Sequence, residues 1–257
     1  MRRSLAPITS LVTLIGGWYL LAYSLDNNFA TDDGSALIVP PPHRLFEGLN
    51  ERTVERISVA TSISVATALV GLIIAIVLGS AIGLLMASAQ PVERAVWPWL
   101  IAIQVTPVIV LTPIIVRIFG PSFVARVFVT VLVAIFPIAS NVLFGVRSIP
   151  QSLRDLFVLR GATPVQVVRE LWVPASLPSF FAGLRISAGL AVIGSIVGDF
   201  FFTRGEPGLG RLINYFFLDT RSGPMFVTAI IASVIGLGFF AMSGGLRKLF
   251  VDPWHKP

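Results

Sequence analysis

The sequence contains no cysteine and only two histidines, and this scarcity excludes several kinds of chemistry. Without thiols there can be no disulfide, no thiolate metal site and no cysteine nucleophile. His43 and His255 lie far apart in the sequence, so a histidine metal site is not expected. The chain also lacks a G-x-x-x-x-G-K-[ST] phosphate loop, so we expect no nucleotide or other cofactor bound by that route.

Charged residues are equally scarce. They make up 12% of the 257 residues, which is about half the usual share, and the mean hydropathy is +0.86. A soluble fold could not bury so much apolar surface, so the sequence predicts an integral protein of the lipid bilayer. The 19 lysines and arginines are dispersed among the loops. This distribution favours contact with anionic lipid head groups over nucleic-acid binding.

Long apolar runs predict an all-α polytopic membrane protein with about six transmembrane helices. We expect residues 1–257 to form one transmembrane domain. Residues 1–56 would be a retained first span with an external connection, 57–246 the core spans, and 151–178 a cytoplasmic loop. Both termini are predicted to be cytoplasmic, because that side has the arginine-rich short loops. The expected spans are Ile8–Leu25, Ile57–Ser88, Trp97–Phe119, Phe123–Phe144, Phe180–Phe202 and Met225–Leu246.

Small residues recur in the second predicted span. Gly71, Gly79 and Gly83 lie close to one face of the helix. Helices in a bilayer associate through such small residues, because these let two backbones approach closely. The pattern therefore indicates a helix interface, with ordinary membrane-helix glycine as the alternative interpretation.

The loop between the fourth and fifth spans contains signals for two short helices. Gly161 can adopt the backbone angles that end the first helix. The stretch Thr163–Gln166 then has the pattern of a capping box with proline at the first helical position. Pro174 and Pro178 are expected to end the second helix before the fifth span. A capped helix-turn-helix of this kind, with basic residues, is suited to docking on a cytoplasmic partner.

Proline and polar residues inside the predicted spans are candidates for lining a translocation pathway. Helices interrupted by proline normally face protein or a watery cavity, and polar groups at depth are usually functional. Kinks for packing and hydrogen bonds between helices are the alternatives. Asp199 lies close enough to the external end to be solvated, and Arg185 close enough to the internal end to reach the head groups. The candidate pathway residues are Gln104, Thr106, Pro107, Asn141 and Asp199.

The loop from Asp155 to Pro174 resembles the signature of permease subunits of bacterial ATP-binding-cassette (ABC) importers. In that family Glu-Ala-Ala is followed by three residues, Gly, nine residues and Ile-x-Leu-Pro. The spacing is kept here in Asp155-Leu156-Phe157, Gly161 and Leu171-Trp172-Val173-Pro174, although most letters differ. Further motifs are similar to the subfamily for sulfonates, taurine, nitrate and pyrimidine-type vitamin precursors. They include Thr106-Pro107, Phe136-Pro137-Ile138 with Asn141, Gly183-Leu184-Arg185, Val197-Gly198-Asp199-Phe200 and Gly208-Leu209-Gly210.

This resemblance implies the fold of type I importer permeases and a transport role without catalysis. It implies two cytoplasmic ATP-binding subunits that hold ATP and magnesium, a second permease copy in a homodimer, and an external solute-binding protein. The implied location is a bacterial inner membrane, and the implied substrate is a sulfonate, nitrate or pyrimidine-type vitamin precursor. The loop would contain a coupling helix that contacts the ATPase through Arg154, Asp155, Leu156, Phe157, Arg160, Gly161, Ala162 and Thr163.

Two other classes of protein compete with this interpretation. A secondary transporter driven by an ion gradient needs coupling carboxylates deep in the membrane, and only Asp199 qualifies. A membrane enzyme needs a converging set of catalytic groups, and the sequence offers no paired carboxylates for that purpose.

Overall fold

The computed structural model describes residues 5–29, 39–200 and 205–253, and within these ranges the regular structure is entirely helical. The predicted all-α class is confirmed. Part of the predicted external connection (30–38), the end of the predicted fifth span (201–202) and His255 lie outside the described residues. The helices are α1 Leu5–Phe29, α2 Glu51–Ser88, α3 Gln90–Val105, α4 Val108–Phe119, α5 Phe123–Arg147, α6 Gln151–Leu159, α7 Pro164–Asp199, α8 Leu209–Leu218 and α9 Ser222–Phe250.

Most of the predicted spans correspond to helices that can cross a membrane. In the described chain α2, α5, α7 and α9 are long and apolar enough, and α3 with α4 makes a fifth span if the two count as one. The first predicted span, Ile8–Leu25, lies within the 25-residue helix α1. Membrane embedding therefore follows from the helices themselves.

The core of the bundle is built around α5, which lies between α2 and α7. The glycines of α2 face α5, as the sequence predicts. A Cβ atom added at Gly79 would stand 3.0 Å from Cβ of Ile138, and one at Gly83 would stand 2.7 Å from the carbonyl oxygen of Ala139. At Gly71 the added atom would collide with the side chain of Thr130. Small residues at these positions therefore allow the two backbones to approach closely.

The third predicted span is not one straight helix, because α3 and α4 meet at an angle of 98°. Pro107 has no N–H group to continue the helix, and the preceding Thr106 takes extended backbone angles, as residues before proline usually do. The chain then restarts as a helix at Val108. The expected span Trp97–Phe119 is therefore corrected to a broken span.

The helix after the loop continues straight into the fifth span, so the prediction that Pro174 and Pro178 end it is wrong. Residues Val167–Trp172 form a wider π-helical turn, in which the N–H of Val173 donates to the carbonyl of Val168. Such a turn provides space for the proline ring, which would otherwise clash with the carbonyl four residues earlier. The segment after the turn at Gly161 and the transmembrane helix are consequently one element, α7.

Candidate functional site

The break between α3 and α4 opens a cavity of about 210 Å³ against α5. Gln104, Thr106 and Pro107 line it together with Val133 of α5. The Thr106 hydroxyl donates to the carbonyl of Ala102 at 2.7 Å, which satisfies a group at the end of α3. Three of the five candidate pathway residues are thus brought together at one place.

Asn141 does not line this cavity. Its side-chain amide donates to the carbonyl of Pro137 at 2.7 Å, one turn earlier in α5. On the facing helix, a Cβ atom added at Gly183 would stand 2.9 Å from Cβ of Asn141. Asn141 therefore lies in the contact between α5 and α7, where the absence of a side chain at Gly183 makes room for it.

Asp199 is only 1% exposed, so the expectation that it is solvated is wrong. One carboxylate oxygen lies 3.0 Å from Nε of Arg126, at the start of α5. The other accepts the backbone N–H of Arg211 at 2.8 Å. The Arg126 guanidinium also donates to the carbonyl of Glu206 at 2.8 Å. This buried cluster joins α5, α7 and the segment that leads into α8.

The same cluster begins helix α8. Gly208 at the N-cap offers no capping side chain, and groups from other helices replace it. The Ser64 hydroxyl of α2 accepts the N–H of Leu209 at 2.9 Å, and Asp199 accepts that of Arg211. A Cβ at Gly208 would stand 2.8 Å from the Asp199 carboxylate, and one at Gly210 would collide with the carbonyl of Ile196. The Gly-Leu-Gly motif thus permits close approach at this helix start.

Arg126 is the residue of this cluster that sequence reasoning missed. Its side chain is 8% exposed even though it lies in the first turn of an apolar span. The available signal was a lone arginine at the end of one span and a lone aspartate at the end of another. Charges in such positions are costly unless they are paired, so their ends belong together.

Arg185 is not near the internal end of its span, so the expectation that it reaches the head groups is wrong. The flanking residues place it beside the middle of α5: Gly183 packs against the carbonyl of Pro137, and the Ser187 hydroxyl donates to the carbonyl of Ala134 at 2.7 Å. The guanidinium carbon of Arg185 stands 4.0 Å from the ring centre of Phe240 in α9. This is a cation–π contact between α7 and α9.

The predicted coupling loop forms α6 and the turn that follows it. Gly161 has a φ of +65°, and its N–H donates to the carbonyl of Val158 at 3.0 Å. The N–H of Ala162 donates to Phe157 at 3.1 Å, which completes a Schellman motif. Thr163 and Gln166 form the predicted capping box, with the Thr163 N–H 2.8 Å from the Gln166 amide oxygen. The turn signals in the sequence are confirmed.

The residues of α6 and of the turn after it divide into an inner and an outer set. Arg154 donates to the carbonyls of Val146 and Arg147 at 2.7 and 3.3 Å, which caps the end of α5 and holds α6 against it. Phe157 packs inward beside the buried Val146, Ile149 and Leu171. The outer set is exposed in the isolated chain and consists of Asp155, Leu156, Val158, Leu159, Arg160, Gly161 and Thr163.

No cluster of three histidine or acidic side chains that could hold a metal occurs among residues 5–29, 39–200 and 205–253. The chemistry of the described site is therefore that of hydrogen bonds, one buried ion pair and apolar contacts.

Comparison with known proteins places the chain in a family. Residues 75–249 match the family described as binding-protein-dependent transport system inner membrane component. The formylaminopyrimidine transport permease protein ThiX of Halalkalibacterium halodurans is 41% identical over 187 residues, which are 73% of this chain and 74% of that protein. The riboflavin transport system permease protein RibX of Chloroflexus aurantiacus is 35% identical over 161 residues, 62% of this chain and 59% of that protein.

Solved structures agree on the fold. A chain of the MetNI methionine ABC transporter in an inward-facing conformation superimposes with a TM-score of 0.62 at 19% identity, over 77% of this chain and 99% of that one. An amino acid ABC transporter gives 0.61 at 17% identity, over 77% and 95%. The fold is that of type I importer permeases, as the resemblance implied. The chain belongs to the family of binding-protein-dependent transport system inner membrane components, and it is a permease subunit of an ABC importer and not an enzyme.

Proposed function

We propose that two copies of this chain form the translocation pathway of an importer in a bacterial inner membrane, and that α6 transmits the movement of two ATP-binding subunits to it. The observation that carries this proposal is the outer face of α6. Val158 is 76% exposed and Leu159 is 84% exposed, on a helix outside the transmembrane bundle. Exposed apolar side chains on such a helix indicate a protein partner.

The inner face of α6 makes this helix suitable for transmitting a movement. Arg154 ties it to the last carbonyls of α5, and Phe157 packs on the same end of the bundle. On the other side, the turn at Gly161 leads into α7, which continues without a break to Asp199. A displacement of α6 would therefore reach two transmembrane helices directly. Both termini lie on the same, cytoplasmic side in this arrangement.

The pathway in this proposal runs past the break between α3 and α4, where Gln104, Thr106 and Pro107 line a cavity. The other two candidate pathway residues lie outside this cavity, Asn141 in α5 and Asp199 at the external end of α7. The described lining contains no charged side chain, which suits a neutral solute better than nitrate or a sulfonate. Together with the formylaminopyrimidine transport named for the 41% identical relative, this supports a pyrimidine-type vitamin precursor as the substrate.

Gly161 provides the test of coupling. An L-residue at its φ of +65° is strained by roughly 1–2 kcal/mol, and a new carboxylate would stand beside the apolar face. We expect Gly161→Asp to abolish uptake of formylaminopyrimidine and the ATPase stimulation by the solute-binding protein in proteoliposomes, with membrane insertion intact. Gly48→Asp is the matched control, because Gly48 has a φ of +79° outside α6 and also has nothing within 4 Å. Uptake by Gly161→Asp at the wild-type rate would contradict the proposal.

A further inference from the structure

The charge of Arg185 has no hydrogen-bond acceptor among the described residues. Arg185 is exposed, and its guanidinium carbon lies 4.0 Å from the ring centre of Phe240. Arg185 lies beside the middle of α5, which is too deep for its side chain to extend to water at the end of the span. An arginine at such depth almost always faces a cavity or the interior of a bundle, because the hydrocarbon offers no partner. Its hydrogen-bond acceptor therefore lies outside the described part of this chain.

A second copy of this chain has no carboxylate to offer at this depth. Neither α5 nor α9 contains an acidic residue, and the acids of α2 lie at its start. The nearest acids in α7 are Glu170 and Asp199, each roughly 20 Å from Arg185 along the helix at 1.5 Å per residue. Asp199 is moreover paired with Arg126. A charged acceptor would consequently come from a lipid or from the transported solute, and water in the cavity is the uncharged acceptor that competes with them.

A cavity of about 570 Å³ lies between α7 and α9, next to this arginine. Its walls are mainly aliphatic or small, with Ile193, Ser233 and Gly236 among them, and Phe240 forms one part of the wall. The guanidinium of Arg185 stacks on this Phe240 ring. An apolar cavity with one planar, hydrogen-bonding cation at its margin has the usual composition of a small-molecule site.

This cavity is next to the proposed pathway. Ile193 of α7 lines it, whereas the next residue, Gly194, faces α5. A Cβ atom added at Gly194 would stand 3.4 Å from Cβ of Val133, and Val133 lines the cavity of Gln104. The two cavities thus lie on opposite faces of α7, separated by the thickness of that helix.

We propose that Arg185 and Phe240, with the cavity between α7 and α9, form a binding site for the transported solute, and that this solute is a planar heteroaromatic ring carrying a carbonyl or anionic group. The guanidinium would donate to the oxygen of that group, since its planar fork matches such acceptors and stacks on aromatic faces. The ring would lie in the apolar cavity. This inference rests on the proposed import function and makes Arg185 a residue that determines specificity.

The test measures binding of formylaminopyrimidine to the purified permease–ATPase complex without the solute-binding protein. Nanodiscs of phosphatidylcholine alone and with phosphatidylglycerol form two arms. We expect Arg185→Leu to weaken binding by about tenfold or more in both, because a charge-assisted hydrogen bond is lost. Arg185→Lys should give an intermediate loss, since an ammonium keeps the charge without the planar fork. Arg117→Leu removes an exposed arginine of α4 and should bind as wild type does.

A second measurement separates a binding defect from misfolding. Arg185→Leu should co-purify with the ATPase subunits and keep the wild-type midpoint of thermal unfolding. A lowered midpoint in Arg185→Leu would overturn the inference, as would unchanged binding by this variant or a wild-type complex that binds none of the probe. Binding that needs phosphatidylglycerol, with this need removed by Arg185→Leu, would assign the arginine to lipid and also overturn it. A wild-type complex without any stimulated ATPase would instead contradict the proposed import function.

Discussion

Arg126 and Asp199 form an ion pair between the first turn of α5 and the last residue of α7, with Nε and a carboxylate oxygen 3.0 Å apart. Both side chains are buried, and each has a second link to the segment before or within α8, through the carbonyl of Glu206 and the N–H of Arg211. The pair therefore joins three parts of the fold at the end of the bundle opposite α6. Its members are mutually dependent, because either charge left alone would be buried without its counterion.

Asp199→Asn should strongly destabilise the protein. The amide can still accept from Arg211, but Arg126 loses its counterion, and breaking a buried pair usually costs about 3–5 kcal/mol. We expect a clear fall in the midpoint of thermal unfolding in detergent. Asp252→Asn is the control, since it removes the exposed partner of Arg247 at 3.8 Å, an interaction of about 0–1 kcal/mol. Equal midpoints for Asp199→Asn and wild type would show that the pair contributes nothing.

Gly210→Ala should lower the stability through a collision of backbone and side chain. The added Cβ would meet the carbonyl of Ile196, and overpacking of this kind typically costs about 1–3 kcal/mol. The matched control is Gly238→Ala in α9, where the new atom has nothing within 4 Å. Alanine is the better helix former, so this control should be neutral or slightly stabilising. Thermal unfolding of both purified variants checks the prediction, and a Gly210→Ala midpoint at or above that of Gly238→Ala would contradict it.

The sequence predicted those features that depend on neighbouring residues. The turn at Gly161 and the capping box of Thr163 and Gln166 are local patterns of fixed spacing, and both are present. The glycine spacing in α2 likewise depends on one helix period. Glycine at a helix end, a threonine–glutamine capping box and glycines spaced along one helix face have few alternative roles. The sequence alone was therefore sufficient to predict these local features.

Features that join distant segments were not predictable in the same way. The only sequence signal that Arg126 and Asp199 meet is the lone charge at the end of each span, and their contact depends on how α5 and α7 pack. The depth of Arg185 was misjudged for a related reason. The helix begins at Pro164, well before the apolar run of the fifth span. Pro174 was expected to separate the loop helix from that span, but the π-helical turn at Val167–Trp172 accommodates the proline. The end of a hydrophobic run is therefore a poor guide to the end of this helix.

Arg154 and Leu159 should have separable effects although both lie in α6. Arg154→Leu removes the hydrogen bonds to Val146 and Arg147, so we expect a lower thermal midpoint of the isolated permease. Leu159→Asp changes a side chain that is 84% exposed, so the midpoint should stay within experimental error. Its defect should appear as loss of the ATPase subunit on co-purification. Full recovery of the ATPase subunit with Leu159→Asp would exclude this face as the docking surface.

The break at Pro107 gives a prediction about shape that can be measured directly. The chain has no cysteine, so cysteines placed at the exposed Ile101 and Ile118 can carry spin labels without background. In one straight helix these positions would lie about 25 Å apart at 1.5 Å per residue, and the 98° bend makes the distance clearly shorter.

Pro107→Ala restores an N–H group that can continue the helix. We expect this variant to shift part of the distance distribution towards the straight value and to slow uptake, because the cavity around Gln104 exists only while the helix is broken. A distribution unchanged by Pro107→Ala would show that packing of α4 on α5, through residues such as Ile115 and Val129, maintains the bend without the proline.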